Sequence, residues 1–221
     1  EDHLDEQPLA GLAAIADRFR AARQANGAVA FQLPEVSVSQ RDGEVAIRPL
    51  PDSPSRRLVA ETMIMAGHAS ARFAEREGLA IPFASQPPPQ GEAEGEGLVW
   101  AYAMRKVMRP SRVELASEPH AGLGLSAYAQ ATSPLRRYHD LVAHQQIRAH
   151  LTGEEPADSA TLAERTAGVG ERIRALRRAE RASNQHHKLV YLRRLGDWQG
   201  RGVIVERKGS KGRALIPELG M

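Results

Sequence analysis

At 221 residues and 42% hydrophobic composition, the chain can bury a sizeable core, either as one large domain or as one domain with part of another. Its 30 basic and 27 acidic residues leave a formal charge of +3, which allows a polyanionic partner without demanding one. Zero cysteines exclude disulfides and thiolate metal sites, and the lack of a membrane-length apolar run or a signal-like N-terminus points to a soluble, cytoplasmic protein with no membrane partner.

In chain order, DEQPLAGLAAIADRFRAARQANG places Leu9, Leu12, Ile15, Phe19 and Ala22 at helical spacing, which predicts an amphipathic helix closed by Gly27. GAVAFQLPEVSVSQRDGEVAIRPL then alternates, with Val29, Phe31 and Leu33 on one face and RDGE as a hairpin turn. In DSPSRRLVAETMIMAGHASARFAEREG, Ser53 reads as the N-cap, Pro54 sits in the first turn and Gly78 ends the helix. This helix is apolar nearly all round. Val59, Met63, Ala66, Ser70 and Phe73 lie on one side and Leu58, Thr62, Ile64 and Met65 extend it, so deep packing is expected.

Residues 84–97, ASQPPPQGEAEGEG, read as a mobile loop without core-forming residues, and SRVELAS as a short strand. A long helical stretch from Ser159 to Arg194 keeps a seam of Leu162, Thr166, Val169, Ile173 and Leu176, with Gly168 and Gly170 as bending points. GRGVIVERKGSKGRALIPEL is two β runs around a basic, glycine-rich turn. The start at Glu1 without an initiator methionine and the ending RALIPELGM lead us to expect a fragment of a longer polypeptide.

The stretch SAYAQATSPLRRYHDLVAHQQIRAHL is the richest in chemistry. Ser133-Pro134 reads as a helix start, which puts Arg136 and Arg137 in a first turn where cations oppose the helix dipole unless an anion is bound. Helical spacing would put Leu135, Tyr138 and Val142 on one face and Arg136, Asp140 and His144 on another, and a surface pair of Arg136 with Asp140 accounts for that strip equally well. Glu61 is an acid on an apolar helix, sharing a polar strip with His68, and it must either pair, for instance with Arg57, or face a site. Glu180 falls on the extended seam of the long helix, where an acid is held either by a structural ion pair or at a functional cleft. The histidines, among them His139, His144, His150, His186 and His187, lack metal-ligand spacing with a carboxylate, and GLGLS at Ser126 is no nucleophile elbow.

AYAQATSPLRRYHDLVAHQQI resembles the ribonuclease II (RNB) family of processive 3′ to 5′ exoribonucleases, whose pattern here runs Y-A-x-x-T-S-P-[IL]-R-[RK]-Y-x-D. Tyr128, Thr132, Ser133, Pro134, Leu135, Arg136, Arg137, Tyr138 and Asp140 match it. SEPHAGLGLSAY, LVAETMIMAG, GAVAFQLPEV and RRAERASNQHHKLVYL resemble other family segments, in family order. The resemblance implies an α+β fold, with residues 1–195 as the C-terminal part of the RNB catalytic domain and residues 196–221 as the first strands of an OB-fold RNA-binding domain, which would be incomplete here.

The resemblance also implies roles. Arg136 corresponds to an arginine that contacts the scissile phosphate and steadies its developing charge. Phe31 corresponds to an aromatic that stacks on bases near the RNA 3′ end, Glu61 to an acid beside the terminal nucleotides, and Glu180 to an acid near the RNA path that weakens retention. His120, Tyr128, Thr132, Ser133 and Arg137 fall in segments lining that path. The implied partner is single-stranded RNA and not DNA, and the implied cofactor is Mg²⁺ held by closely spaced aspartates. These 221 residues contain no such cluster. The expectation is therefore that the metal ligands come from an upstream part of the same protein, and that this chain alone is inactive. The alternative is a non-catalytic RNA-binding module on the same scaffold. Three positions depart from the family: Gly67 stands where asparagine is common, Ala131 where an aromatic is usual, and Gln145 where arginine is common.

Overall fold

The computed structural model describes residues 7–30 and 33–221. Its elements in chain order are helix α1 (Gln7–Ala25), strands β1 (Val36–Arg41) and β2 (Glu44–Pro49), helix α2 (Pro54–Glu77), strand β3 (Phe83–Ser85), helix α3 (Gly97–Val107) and strand β4 (Arg112–Glu114). There follow helices α4 (Tyr138–Thr152), α5 (Ser159–Thr166) and α6 (Val169–Leu195), then strands β5 (Val203–Lys208) and β6 (Lys211–Leu215). Short 3₁₀ turns occupy Ala121–Leu123 and Pro217–Leu219. The class is mixed helix and sheet, as expected.

The chain forms two units that interleave along the sequence. The first takes the chain through Ala30, then Ser53–Pro89 and Arg109–Gly170; the second takes the chain through Asp52, then Gln90–Met108 and Glu171–Met221.

The first unit is built on α2. Ser53 Oγ accepts the Arg56 N–H at 3.3 Å, and Gly78, left-handed at φ 65°, turns its N–H back on the last carbonyls, so both predicted ends hold. The predicted deep packing does not. The buried residues of α2 are the small Gly67, Ala71 and Ala74, whereas Val59 is 57% exposed. Small side chains bury here because an extended segment, 127–129, runs directly against the helix. Ala129 N–H donates to Gly67 O at 3.2 Å, and Ala84 N–H on the segment's other side donates to Tyr128 O at 2.8 Å. Ala71, Ala74, Ile81, Phe83, Ala127, Ala129 and Ala143 form the core. Buried Gln146 closes one end, donating to the carbonyls of Ala80 and Ala157 and accepting the Ala157 N–H.

In α1 the buried stripe is rotated from the predicted one. It retains Leu12 and Phe19 but carries Ala16 and Arg23, while Ile15 and Ala22 are exposed. The expected loop over 84–97 starts later than predicted, since Ala84 and Ser85 are buried in β3, paired antiparallel with β4. The expected single helix from Ser159 to Arg194 is two. Gly168, at φ 72°, separates α5 from α6 rather than bending one rod, and Leu176 on the supposed seam is 69% exposed.

Among the described residues, the second unit holds two hairpins and two α-helices. β1 and β2 pair antiparallel about Asp42 and Gly43, both at positive φ (51° and 80°), the turn predicted from RDGE. Val29 and Leu33 lie outside that hairpin, and Phe31 falls outside the described residues. β5 and β6 pair antiparallel with an irregularity between Ile204 and Glu206. Helix α3, which periodicity did not reveal, packs on this hairpin through Tyr102 and Lys106, both hydrogen-bonded to Glu206.

Candidate functional site

The Thr-Ser-Pro-Leu-Arg-Arg segment is not the first turn of α4. It folds as a separate turn ahead of that helix. The carbonyl of Ser133 accepts the N–H groups of Arg136 (3.2 Å) and Arg137 (3.0 Å), and α4 begins at Tyr138 with Arg137 as its N-cap. Asp140, fully buried in the first turn of α4, shapes this turn. Its Oδ2 accepts the Ser133 N–H at 2.8 Å, Arg137 Nε at 3.0 Å and Arg137 Nη2 at 2.6 Å. Arg137 Nη2 also reaches Thr132 Oγ1 at 3.3 Å.

This geometry overturns the expected Arg136–Asp140 strip. Asp140 pairs with Arg137, Leu135 is fully exposed while Val142 is fully buried, and His144 turns its Nε2 to the Ala131 carbonyl. The two adjacent arginines therefore have opposite fates. Arg137 is spent within the fold. Arg136 is exposed, and its guanidinium has no partner among the described residues.

Tyr128 and His120 stand in the same unit, with the His120 ring edge-on to the Tyr128 ring at 5.7 Å. Burial pushes the His120 imidazole below its ordinary range, and its Nδ1 is buried without a hydrogen-bond partner. Burial raises the Tyr128 phenol; Asp140 adds to that rise, and Arg137 and Arg23 oppose it. The buried side of Tyr128 meets α2 at Gly67, where a Cβ would overlap the Tyr128 ring and the Ala129 carbonyl. Gly67, with no Cβ, admits this close approach.

Glu61 is paired, but not with Arg57. Arg23 of α1 grips its carboxylate through Nη2 at 2.6 Å and Nε at 3.2 Å, with side-chain exposures of 8% and 12%. Arg23 Nη1 also donates to the Leu123 carbonyl at 2.9 Å. Gly124 is left-handed at φ 63°, and a Cβ there would collide with the Arg23 carbonyl. The end of α1, the acid of α2 and the 121–124 turn are thereby tied together. Beside this knot, Asn26, His68, Gly124 and Ser126 line a cleft of about 360 Å³. Sequence reasoning missed Arg23. The signal was a basic residue in register with Leu12, Ala16 and Phe19.

Glu180 is exposed on α6 in the second unit, so its expected place on a packed seam is corrected: the face continuing from Leu176 is solvated. Among the described residues no group of three or more histidine, aspartate or glutamate side chains could hold a metal ion. Neither the buried Asp140 nor the partly buried Glu61 fits Mg²⁺, because Glu61 is neutralised by Arg23 and Asp140 by Arg137. No helix is long and apolar enough to cross a membrane among the described residues.

Comparison with known proteins follows the same outline. The RNB domain model matches residues 1–100 and 98–153. An uncharacterized ribonuclease of Synechocystis sp. is 35% identical over 230 residues, covering 99% of this chain and 34% of that protein. The chloroplastic/mitochondrial ribonuclease II of Arabidopsis thaliana is 31% identical over 168 residues, covering 72% of this chain and 20% of that protein. Among solved structures, the Dss1 exoribonuclease of Candida glabrata superposes with a TM-score of 0.80 at 20% identity over 96% of this chain and 30% of that one. The apo form of Mycoplasma genitalium RNase R gives 0.77 at 15% identity, over 96% and 40%. These two likenesses concern the fold. The chain spans about a third or less of the length of the first two of these relatives. With the RNB model covering most of the chain and the Thr-Ser-Pro-Leu-Arg-Arg turn at its buried aspartate, this chain belongs to the RNB domain family.

Proposed function

We propose that the chain is part of a processive, Mg²⁺-dependent 3′ to 5′ exoribonuclease that hydrolyses single-stranded RNA to nucleoside monophosphates. In this reading residues 1–195 are the C-terminal part of the catalytic domain and residues 196–221 the first strands of an OB-fold. One observation carries it: Arg136 is a guanidinium without a partner among the described residues, on a turn whose shape is held from beneath by the buried Asp140–Arg137 pair. A guanidinium with no internal partner keeps its donor fork for a phosphate. Family membership agrees, and RNase R of Mycoplasma genitalium, which shares the fold, has been solved with single-stranded RNA.

Arg136 stabilises charge developing on the scissile phosphate. Tyr128, His120, Thr132 and Ser133 border the RNA path, with Arg137 holding the turn. Glu61 acts as half of an ion pair with Arg23, so it shapes the pocket for the terminal nucleotides without adding net charge. Phe31 stacks on bases near the 3′ end, and Glu180 weakens retention of the strand. The Mg²⁺ that this reading implies would be held by residues outside the described ones, in an upstream part of the protein, and would supply activation of water there. The protein works in the cytoplasm.

The test is Arg136→Ala in the intact protein, with degradation of labelled single-stranded RNA as the readout. Loss of one electrostatic stabiliser should lower turnover by about 10²–10³ while RNA binding and thermal stability hold. Unchanged turnover would sink the role of Arg136. Wild-type protein that binds RNA with Mg²⁺ present and never shortens it would favour the non-catalytic module instead.

A further inference from the structure

The turn that leaves α1 holds the groups for a covalent reaction of the chain with itself. Asn26 is followed by Gly27, residues 24–27 are all exposed, and Asn26 lines the cleft beside the Arg23–Glu61 knot. Gly27 sits at φ 85° with nothing within 4 Å of where a Cβ would stand, so the approach of the Asn26 carboxamide to its amide nitrogen is open on that side. The Gly27 N–H is engaged by the Gln24 carbonyl at 3.0 Å, and a bond of this kind at an exposed helix end is released by fraying. The chain has one other asparagine, Asn184, which is also exposed but lies within α6 and precedes Gln185. Its backbone is held by the helix, which makes it an internal control.

We propose that Asn26 is a site of spontaneous covalent modification, deamidating through Gly27, and that its isoaspartate product releases Arg23 from Glu61. The Gly27 nitrogen attacks Asn26 Cγ. The N–Cγ bond forms, the Cγ–Nδ2 bond breaks, and ammonia leaves with the proton given up by the Gly27 amide. Water then opens the cyclic succinimide. Opening at Cγ gives aspartate on the original backbone. Opening at the backbone carbonyl gives isoaspartate, in which the main chain runs through Cβ and Cγ and is one carbon longer.

The surrounding structure leaves no room for that extra carbon. Immediately beyond the junction, Ala28 N–H donates to the Arg23 carbonyl at 2.9 Å and Val29 N–H donates to the Gly122 carbonyl at 3.1 Å. The corner is tight enough that a Cβ on Gly124 would collide with the Arg23 carbonyl and the Ala28 nitrogen. Lengthening the chain between residues 26 and 27 moves Ala28 and Val29 off these acceptors, and with them the end of α1 that carries Arg23. Arg23 reaches Glu61 at 2.6 Å and the Leu123 carbonyl at 2.9 Å, geometry that a shifted helix end cannot keep. The new carboxylate also stands at the C-terminal end of α1, where negative charge opposes the helix dipole. None of this rests on what the protein does.

The test is to age the purified intact protein at mildly alkaline pH and to follow it by peptide mass mapping and thermal unfolding. A synthetic peptide of residues 23–30 in the same buffer reports that the chemistry runs there. In the protein, the Asn26 peptide should convert to two products of equal mass, isoaspartyl and aspartyl, while Asn184 keeps its amide. The isoaspartyl protein should melt about 3–6 °C below the fresh protein. Asn26→Gln aged alongside should keep its Tm, and Asn26→Asp, which adds the charge without the longer backbone, should lose clearly less. In Arg23→Met with Glu61→Leu, which has no ion pair to lose, the same conversion should move the Tm little. An Asn26 that stays an amide in the protein while the peptide converts would overturn the site. A Tm loss as large in Asn26→Asp, or in the variant without the ion pair, would overturn the release of Arg23.

Discussion

Arg137→Ala and Arg136→Ala, one residue apart in the same motif, should behave oppositely toward stability. Asp140 is fully buried, and its Oδ1 has no hydrogen-bond partner. Its charge is met by the Ser133 N–H and by two N–H groups of Arg137, at 2.8, 3.0 and 2.6 Å. Truncating Arg137 leaves a buried carboxylate with one neutral donor and no cation. Breaking a fully buried pair costs about 3–5 kcal/mol. Arg137 is 26% exposed, so water can follow the truncated side chain inward, and a cost of about 2–3 kcal/mol is expected. For a chain of this size that corresponds to a fall in Tm of roughly 5–10 °C. Arg136→Ala removes an exposed side chain that has no partner among the described residues and should stay within about 0.5 kcal/mol of the wild type. Thermal unfolding by circular dichroism measures both, and Arg137→Lys should recover part of the loss by restoring the charge without the fork. Equal destabilisation by the two alanine variants, or a neutral Arg137→Ala, would refute the division of labour between the arginines.

Arg23→Met leaves Glu61 charged and nearly buried, so urea unfolding should show a loss of about 3 kcal/mol, and Glu61→Leu added to it should restore most of that. Gly67→Ala forces a methyl group into the Ala129 carbonyl and the Tyr128 ring and should cost about 1–3 kcal/mol, with Gly67→Asn worse, visible as a lowered urea midpoint. Burial holds His120 and His139 below their ordinary range, so the unfolded chain takes up protons on them first. Their contribution to stability is complete above about pH 6.5 and is lost as pH falls through the lower folded values. Between about pH 7.5 and pH 5.5 the wild-type urea midpoint should therefore fall further than that of His139→Gln.

What the sequence made legible was mostly local. The Ser53 cap with Pro54, the left-handed Gly78 and the Asp42-Gly43 turn each act through neighbouring backbone atoms, so a few residues suffice to specify them. The family motif was legible for another reason: Tyr128, Thr132, Ser133, Arg136, Arg137 and Asp140 keep their identities even though their arrangement is not a helix. What stayed hidden was pairing over distance. Periodicity put Ile15 and Ala22 of α1 inward because it scores Arg23 as polar, yet Arg23 is buried by Glu61, 38 residues away. Strand β3 has only three residues, and its Ala84 and Ser85 look like loop until β4 is set beside them. Helix α2 read as uniformly apolar, and nothing local says that its tightest contact falls at Gly67, where another backbone approaches.

The same distinction explains why the arginine pair could not be resolved from sequence. Helical spacing treats Ser133 to His144 as one rod, which joins Arg136 to Asp140 at four residues. A carboxylate in the first turn of a helix can instead reach back to the N–H groups and cations of the segment preceding it, because the helix end offers unsatisfied donors there. Asp140 does this, and in doing so it unwinds the Ser133–Arg136 segment from the helix and draws in Arg137. Burying Asp140 in the first turn of α4 is thus what frees Arg136. Asp140→Asn should accordingly loosen the turn, because the amide can still accept the Ser133 N–H but no longer holds Arg137 by charge, and its loss of turnover should approach that of Arg136→Ala although Arg136 itself is intact. Full turnover in a folded Asp140→Asn protein would show that Arg136 needs no such support.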